Sequence, residues 1–322
     1  MNSLDEFRAV ARSGFAVGGV RVELSGEREA DVALVPTLEL FRVEGGASDV
    51  AIQVEWVDRI SPSQRRKIFD SGTTWRLQEG ETGLEFDFNS DMLGFRPFKR
   101  LLVDTIFETA TLQMSRESFA RLGQAPDPLG YPLDELLIMH RLTQEKAIEL
   151  HGSGIVRRNG VANLFVGHSG AGKSTTTRLW TDVEDVEVLS DDRIIVRRDE
   201  QQQIPRFARN DNGNESPSGR NDKKMRMYGT PWHGEAMFAS PNSAPLTRIF
   251  VLEHGHGNVI TPLLPSQAVA ELFARSFVPF HRHEYVDSAL VFLEELVDSV
   301  PVYRYSFEPD QRAVDKIRHF ND

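Results

Sequence analysis

Residues 161–180 read VANLFVGHSGAGKSTTTRLW, and this stretch decides how the second half of the chain folds. The apolar run at 161–166 predicts a buried strand, and the residues after 174 are compatible with a helix. Between them, residues 167–174 match the pattern GxxxxGK[ST], which average residue usage produces by chance in about one chain in a hundred of this length. Because the loop connects a predicted strand to a predicted helix, we predict that it binds nucleotide phosphates.

Each residue type in this loop has a function in phosphate binding. The glycines let successive backbone N–H groups turn toward the α- and β-phosphates, and the following helix adds the positive end of its dipole. The Lys173 ammonium reaches the β- and γ-phosphates, and the Ser174 hydroxyl is a ligand for Mg²⁺. We therefore expect the cofactors ATP and Mg²⁺ to be bound by Gly167, His168, Ser169, Gly170, Ala171, Gly172, Lys173, Ser174 and Thr175.

Two adjacent carboxylates, Asp191 and Asp192, follow a short predicted strand at 186–190. Side chains at the carboxyl end of such a strand face the crevice in which open α/β sheets bind ligands. One carboxylate there can hold Mg²⁺, and the other can accept the proton of an attacking hydroxyl group. Adjacent carboxylates repel each other, so the pair is unfavourable without a nearby cation. The alternative is a solvated Asp-Asp turn, and we favour the site because the pair lies downstream of the phosphate-binding pattern.

The sequence YGTPWHGE at 228–235 is a further candidate part of the site. Its two glycines and its proline predict a tight turn. Such a turn would bring Glu235 to the Mg²⁺ ion through a water molecule and His233 to the phosphate or the acceptor. The alternative is a structural turn that is anchored by Trp232.

Three other polar residues are weaker candidates. His151 lies in AIELHGSGIV before the strand of the loop, and a single histidine in a strand is usually structural. Arg248 in RIFVLEH and Arg275 in ELFARSF are candidate clamps for the γ-phosphate. For both arginines the alternative is an ordinary surface position or an ion pair.

The composition excludes several classes of function. The 322 residues are 40% apolar and 26% charged, as in ordinary globular proteins, and the net charge of −11 argues against nucleic-acid or membrane partners, which need an extended basic surface. The absence of cysteine excludes disulfides, thiol catalysis and cysteine-ligated zinc. There is no apolar run of about 18 residues and no signal-peptide pattern, so we expect a cytoplasmic protein.

The first half of the chain has the pattern of a β-structure. Apolar and polar residues alternate at 20–24, 50–56 and 84–88, which predicts half-buried and mostly antiparallel strands. Candidate site residues do not cluster here, and the sequence leaves the role of this half open.

The segment GQAPDPLGYP at 123–132 predicts a domain boundary because it is rich in proline and glycine. We predict a β-rich N-terminal domain at 1–128 and a catalytic domain at 129–322, in which strands are followed by helices. The fold class is therefore α/β (α+β).

Several elements of the second domain are predicted individually. A helix from residue 133 is predicted to bury Leu133, Leu136 and Leu137 and to carry His140 on its surface. The later elements are predicted as a mobile loop at 210–224, helices at 267–277 and 285–297, and a strand at 301–307 before a short terminal helix.

Three elements together resemble the HPr kinase/phosphorylase family and its relatives with a phosphoenolpyruvate-carboxykinase-like P-loop fold. They are His151-Gly152 before the strand of the loop, the GxSGxGKS pattern at 167–174, and Asp191-Asp192-Arg193 at the end of the next strand. The resemblance covers residues 147–200 well and implies a P-loop kinase domain with a mixed sheet. It further implies that Asp191 acts as base or acid toward a seryl hydroxyl, that Asp192 faces Mg²⁺, and that His151 lies near the phosphates.

The segment YGTPWHGE departs from HPr kinase itself and looks like the HPr-kinase-related proteins. Some of those accompany peptide-maturation systems and phosphorylate a peptide serine. The β-rich first half does not match HPr kinase either. The resemblance therefore implies a kinase that transfers the γ-phosphoryl group of ATP to a serine of a protein or peptide.

Two other hypotheses stay open at the level of sequence. A small-molecule kinase or carboxykinase-like enzyme should have an arginine-lined carboxylate pocket beside the loop. A non-catalytic ATP-binding regulatory protein should keep Asp191 out of reach of the γ-phosphate. The sequence also leaves open the identity of the acceptor, the reverse phosphorylase reaction and the formation of a homo-oligomer.

Overall fold

The chain is a mixed α/β structure with two mixed sheets, about 25% helix and 37% strand. The computed structural model describes residues 10–94, 96–123, 125–199 and 225–320. Two compact units are present, one of Met1–Glu145 with Pro279–His283 and the other of Lys146–Val278 with Glu284–Asp322. No helix in the described ranges is long and apolar enough to span a bilayer. The loop predicted at 210–224 lies outside the described residues.

The first unit is built on a mixed eight-stranded sheet. Its elements are β1 (Ala11–Val17), β2 (Val20–Gly26), α1 (Pro36–Glu39), β3 (Val50–Val57), β4 (Lys67–Asp70), β5 (Trp75–Glu79), β6 (Gly83–Phe88), β7 (Lys99–Asp104), β8 (Thr109–Ser115), α2 (Arg116–Leu122) and α3 (Leu133–Leu142). The strand order is β1-β2-β3-β8-β7-β6-β5-β4, in which β3 runs parallel to β2 and β8 and all other neighbours are antiparallel.

The predicted strands are present in β2, β3 and β6, and their apolar residues form the core of the unit. The prediction of half-buried strands was wrong for β6, where Glu85 and Asp87 are also buried. Asp87 is covered because the Arg100 guanidinium donates hydrogen bonds to both of its carboxylate oxygens, at 2.6 and 3.0 Å. An ion pair across β6 and β7 thus replaces water on this face of the sheet.

The domain boundary lies later than the predicted division between residues 128 and 129. Helix α3 belongs to the first unit, because Leu133 and Leu137 pack into that unit's core and the helix contacts β2. The proline- and glycine-rich segment is tied to the same unit, since buried Lys99 donates hydrogen bonds to the carbonyl oxygens of Asp127 and Pro128. The segment is therefore part of the first unit, and the second unit begins at Lys146.

His140 was wrongly predicted to lie on the surface of this helix, since only 1% of it is exposed. Its ring lies 5.2 Å from Phe86, 5.0 Å from Phe107 and 5.3 Å from His281, measured between ring centroids. The Nδ1 atom is 2.7 Å from the Leu136 carbonyl oxygen, which makes Nδ1–H the donor. Burial lowers the pKa of His140 to about 3 and that of His281 to about 4.

The buried histidine should make the first unit sensitive to acid. Between its unfolded pKa of about 6.5 and its folded value of about 3, only the unfolded chain binds the proton, so stability falls as the pH falls, by up to roughly 1.4 kcal/mol per pH unit. His140→Phe keeps an aromatic ring and removes this titration. We expect its free energy of unfolding, from urea titrations between pH 7 and pH 4, to depend less steeply on pH than that of the wild type. The exposed control His256→Gln should keep the wild-type slope, and an unchanged slope in His140→Phe would contradict the assignment.

The second unit contains a ten-stranded sheet. Its elements are β9 (Ala147–Arg157), β10 (Ala162–Val166), α4 (Lys173–Thr181), β11 (Val186–Ser190), β12 (Arg193–Arg198), β13 (Met225–Tyr228), β14 (Ser243–Pro245), β15 (Arg248–His254), β16 (Val259–Pro262), α5 (Pro265–Phe273), β17 (Ser276–Phe277), α6 (His283–Ser299), β18 (Val302–Phe307) and α7 (Gln311–Arg318). The main order is β14-β13-β12-β9-β10-β15-β18-β16, and β11 and β17 pair with β9. Strands β10, β15 and β18 are parallel to one another.

Helices cover both faces of this sheet. The apolar residues of β10 and β15 alternate between two cores: Leu164 and Val251 pack on one face with α5 and α6, and Phe165 and Phe250 pack on the other with α4 and α7. Continuous apolar runs are expected in parallel strands that are buried on both sides. The helix predicted at 267–277 is shorter, because it ends at Phe273 and residues 276–277 pair with β9 instead. The strand predicted at 301–307 is confirmed as β18.

Candidate active site

The phosphate-binding pattern lies in the strand–loop–helix arrangement that the sequence predicts. The loop at 167–172 leaves the carboxyl end of β10, and α4 begins at Lys173. Gly170 and Gly172 have φ angles of 81° and 95°, which only glycine adopts without strain. His168, Ser169 and Gly170 are exposed, so the outer part of the loop is accessible to a ligand.

The Lys173 side chain is folded back onto the loop. Its Nζ donates hydrogen bonds to the carbonyl oxygens of Gly167 and His168, at 3.0 and 3.1 Å. Burial lowers the pKa of Lys173, and the charges of Arg193 and Arg275 lower it further, while Asp192 and Asp191 act in the opposite direction. The ammonium group thus lies within electrostatic reach of both acids and of two arginines.

Two residues that sequence reasoning missed support the glycines of the loop. His254 Nε2 is 2.8 Å from the carbonyl oxygen of Gly170, and the His254 ring is stacked on Phe307. A Cβ atom built on Gly172 would lie 2.5 Å from Phe307 Cζ, so the loop and this ring are in close contact. His254 ends β15 and Phe307 ends β18, and both strands are parallel to β10. Because the carboxyl ends of parallel strands lie at the same edge of a sheet, the sequence could have predicted that both residues lie near the loop.

Asp191 and Asp192 lie between β11 and β12, both of which pair with β9. The Asp192 carboxylate is 2.9 Å from His151 Nε2 and forms an ion pair with Arg193. Burial by itself raises the pKa of Asp192, but the hydrogen bond from His151 and the charges of Arg193 and Lys173 hold it below its usual range. The structure therefore brings His151, Asp192 and Lys173 together.

Arg193 extends this network into the interior. Its guanidinium lies over the Phe277 ring, 4.1 Å from the centroid, and its Nε is 3.5 Å from Glu149 Oε1. Glu149 is buried on β9, next but one to His151 in sequence. The half-exposed Asp192 is thus held between a histidine and an arginine whose own position is set by a buried carboxylate.

Asp191 has a different environment from Asp192. Only 1% of it is exposed, and its carboxylate accepts hydrogen bonds from the backbone N–H groups of Gly234, Ala236 and Phe238, at 3.0, 2.8 and 3.2 Å. The carboxylate therefore fixes the conformation of the chain at 234–238. An attacking hydroxyl group has little access to an acid that is buried and bonded in this way.

The segment 228–235 lies beside the acid pair through its backbone. A Cβ atom on Gly234 would lie 2.9 Å from an Asp191 oxygen and 3.2 Å from Asp192 Cβ, so only glycine allows this approach. The Glu235 side chain is exposed, and the His233 ring is half-buried with Nδ1 3.2 Å from the Gly234 carbonyl oxygen. Trp232 is buried, as the structural alternative predicts.

The residues predicted to bind the metal ion are Ser174, Asp192 and Glu235. Within the described part of the chain, no group of three histidine, aspartate or glutamate side chains is arranged to hold a metal ion. Ser174 lies in the first turn of α4, half-buried, next to Lys173. A P-loop magnesium site does not need such a cluster, since Mg²⁺ is commonly held by one or two protein ligands, phosphate oxygens and water.

The two candidate arginine clamps lie in different places. Arg275 is 7% exposed and near Lys173; its Nη1 donates to the Glu271 carbonyl and carboxylate oxygens, and its Nε is buried without a hydrogen bond. Arg248 begins β15 and pairs with Asn163, at the opposite end of the strands from the loop, and its guanidinium lies over Phe320. The structure therefore keeps Arg275 as a candidate and removes Arg248.

The described residues thus place an exposed glycine-rich loop, Lys173, Arg275 and the His151–Asp192 pair at one edge of the second sheet. Cationic groups around the half-exposed Asp192 carboxylate can hold a phosphate-bearing ligand, although the whole chain is acidic. No protein-family model matches this chain, and no curated protein matches it.

The close contact at Gly172 can be tested by stability measurements. Gly172→Ala adds left-handed backbone strain and an overlap with Phe307, and it should lower the free energy of unfolding by about 3 kcal/mol. Gly170→Ala is a matched control, since it has the same backbone strain and nothing within 4 Å of the added Cβ. Urea unfolding should therefore find Gly172→Ala clearly less stable than Gly170→Ala. Equal losses in the two variants would show that Phe307 does not restrict the loop.

Proposed function

We propose that this chain is an ATP- and Mg²⁺-dependent kinase that transfers the γ-phosphoryl group to a serine hydroxyl of a protein or peptide. The observation that carries the proposal is the meeting of the glycine-rich loop, Lys173 and the His151–Asp192 pair at one edge of the sheet. We further propose that the second unit has the phosphoenolpyruvate-carboxykinase-like P-loop fold. The mixed sheet, with β10 next to antiparallel β9 and parallel β15, supports this assignment.

The residues of the loop fit a nucleotide triphosphate. Residues 168–170 are exposed, and the loop turns at two left-handed glycines. The Lys173 ammonium donates to two loop carbonyl oxygens that a phosphate can replace. The Ser174 hydroxyl and the Asp192 carboxylate would hold Mg²⁺, together with water and phosphate oxygens. When bound, the ion offsets the charge on the phosphates during transfer.

The remaining charged residues stabilise the phosphoryl group in this proposal. The Lys173 ammonium moves from the loop carbonyl oxygens to the β- and γ-phosphates. The buried Nε–H of Arg275, which has no hydrogen bond, is a second donor on the same side. Donors that are fixed before the reaction stabilise developing charge more than mobile ones do.

Asp191 and Asp192 have different roles in this proposal because they differ in their exposure to a ligand. Asp192 is half-exposed and bonded to His151, so it is the carboxylate that can meet Mg²⁺ or the proton of the acceptor hydroxyl. Asp191 instead holds the chain at 234–238 through its three N–H donors. This division differs from the one that the family resemblance implies, in which Asp191 faces the hydroxyl group.

A large acceptor is favoured by the surface next to the acids. Glu235 and Met237 are exposed, and 67% of Met237 is accessible, although its neighbours bond to Asp191. A peptide side chain can reach Asp192 beside such an open segment. The serine specificity rests on the resemblance of YGTPWHGE to the HPr-kinase-related proteins.

Loss of the lysine tests the nucleotide site. Lys173→Ala should abolish ATP turnover and phosphoryl transfer, by on the order of 10³-fold or more, because the transition state loses its main cation. Transfer is measured with γ-labelled ATP and a pool of serine-containing peptides, each with its Ser→Ala twin. Lys146→Ala removes an exposed lysine of the same unit that lies outside the loop and pairs with Glu295, and it serves as the control. Near wild-type turnover by Lys173→Ala would refute the proposed function.

Substitution of the two acids separates their roles. Asp192→Asn should lower transfer by on the order of 10²-fold or more, and it should cost less stability than Asp191→Asn because the Asp192 ion pairs are partly exposed. Asp191→Asn places an amide N–H group opposite backbone N–H donors, and it should lower the free energy of unfolding by about 2–3 kcal/mol. Thermal unfolding and transfer rates of both variants provide the comparison. If the Asp191→Asn protein is as stable as the wild type and inactive, Asp191 and not Asp192 is the base that accepts the proton of the hydroxyl group.

A further inference from the structure

A polar groove lies on the first unit, on the face of the sheet opposite its apolar core. It has a volume of about 560 Å³ and is formed by β6, β7 and β8 with the turn at 80–83. Its charged and polar lining includes Arg65, Glu81, Glu85, Arg100, Thr111 and Gln113. All of these residues belong to the first unit, so the groove is independent of the phosphate-binding loop.

The charges at the floor of the groove do not balance. The Arg100 guanidinium is bonded to both oxygens of Asp87 and lies 3.3 Å from Glu85 Oε1, so one cation faces two carboxylates. Burial lowers the pKa of Arg100, but the bond to Asp87 and the charges of Asp87 and Glu85 outweigh burial and raise it, so the group stays charged. Arg65 adds no free cation, because it forms an ion pair with Glu81.

The excess negative charge is located on Glu85. Asp87 has its bonds from Arg100 and a further one from Gln78 Nε2 at 2.8 Å. Glu85 is only 6% exposed, and its Oε1 is buried without any hydrogen bond. A buried carboxylate oxygen without a hydrogen-bond donor is unfavourable, and its nearest cation, Arg100 at 3.3 Å, is shared with Asp87.

We propose that this groove binds an organic cation, an ammonium or guanidinium group, through Glu85. Such a group adds a second cation beside the shared Arg100 and brings N–H donors to the Glu85 carboxylate. The Thr111 hydroxyl and the Gln113 amide are available beside it for the polar groups that carry the cation. A metal ion is disfavoured, because no three acidic or histidine side chains converge among the residues that the structure describes.

The cation can belong to a free small molecule or to a basic side chain of a peptide. The probes are therefore N-acetyl-arginine amide and N-acetyl-lysine amide, and an acetylated tripeptide amide with one central arginine. N-acetyl-citrulline amide is the neutral control, since it has the shape of the arginine compound without its charge. A tripeptide that binds tighter than the single residues indicates a peptide ligand, and equal affinities indicate a small molecule.

Binding is measured by titration calorimetry or ligand-observed NMR with the full chain. The arginine compound should bind with a dissociation constant on the order of 1 mM, and the citrulline compound at least about tenfold more weakly. Glu85→Gln should weaken binding of the arginine compound by about tenfold or more. Glu23→Gln, on the same face of the sheet outside the groove and already paired with Arg12, should bind as the wild type does.

A second variant covers the case in which Glu85→Gln does not fold. Leu102 lies directly opposite Glu85 on β7, so Leu102→Lys places an ammonium group at the same carboxylate and should abolish binding of the cation. The proposal is overturned if the arginine and citrulline compounds bind equally, or if neither cationic compound binds. It is equally overturned if folded Glu85→Gln or Leu102→Lys binds as tightly as the wild type.

Discussion

The arrangement of the second unit depends on the backbone of His151 and Gly152. Strand β9 changes its partners there, because it pairs with β12 and β17 before this point and with β10 and β11 after it. The His151 N–H donates to the Arg275 carbonyl oxygen, the His151 carbonyl oxygen accepts from Gly167, and the Gly152 N–H donates to the Asp192 carbonyl oxygen. One dipeptide therefore ties the loop, the acid pair and the segment of Arg275 together by main-chain bonds. A side chain at Gly152 would meet Leu164 at 2.9 Å and push the strand of the loop away.

Around this junction, an acidic protein builds a local cationic environment. The net charge of −11 repels a polyphosphate at long range, whereas Lys173, Arg193 and Arg275 act over short distances within a partly buried site. The cost of burying these charges is offset by specific carboxylates: Glu149 for Arg193 and Glu271 for Arg275. Glu149 is buried, and the partly exposed Glu271 is paired with both Arg275 and Arg304. Asp192 is the half-exposed carboxylate within electrostatic reach of Lys173.

In the groove of the first unit, the buried group that lacks a hydrogen bond is an acid and not a cation. On its polar face, Asp87 is fully satisfied by Arg100 and Gln78, and Glu85 remains with an excess negative charge. In the second unit the buried Nε–H of Arg275 is a donor without a hydrogen bond, and in the first unit the buried Oε1 of Glu85 is an acceptor without one. The ligands that we propose for the two units therefore have opposite charges, for the same physical reason: a buried polar group needs a partner.

The sequence by itself determined the elements that depend only on residues close together in the chain. The loop at 167–174 needs glycines at fixed spacing, and the alternation in β2 and β3 comes from the two-residue period of a strand, so both could be predicted. Only the tertiary structure decided what depends on contacts between distant segments. His140 is buried because aromatic residues from β6 and from 107 surround it, and Arg248 is removed from the site because strand direction puts it at the far end of β15. The two adjacent aspartates cannot be told apart in sequence, whereas backbone N–H groups from 234–238 surround only the first of them.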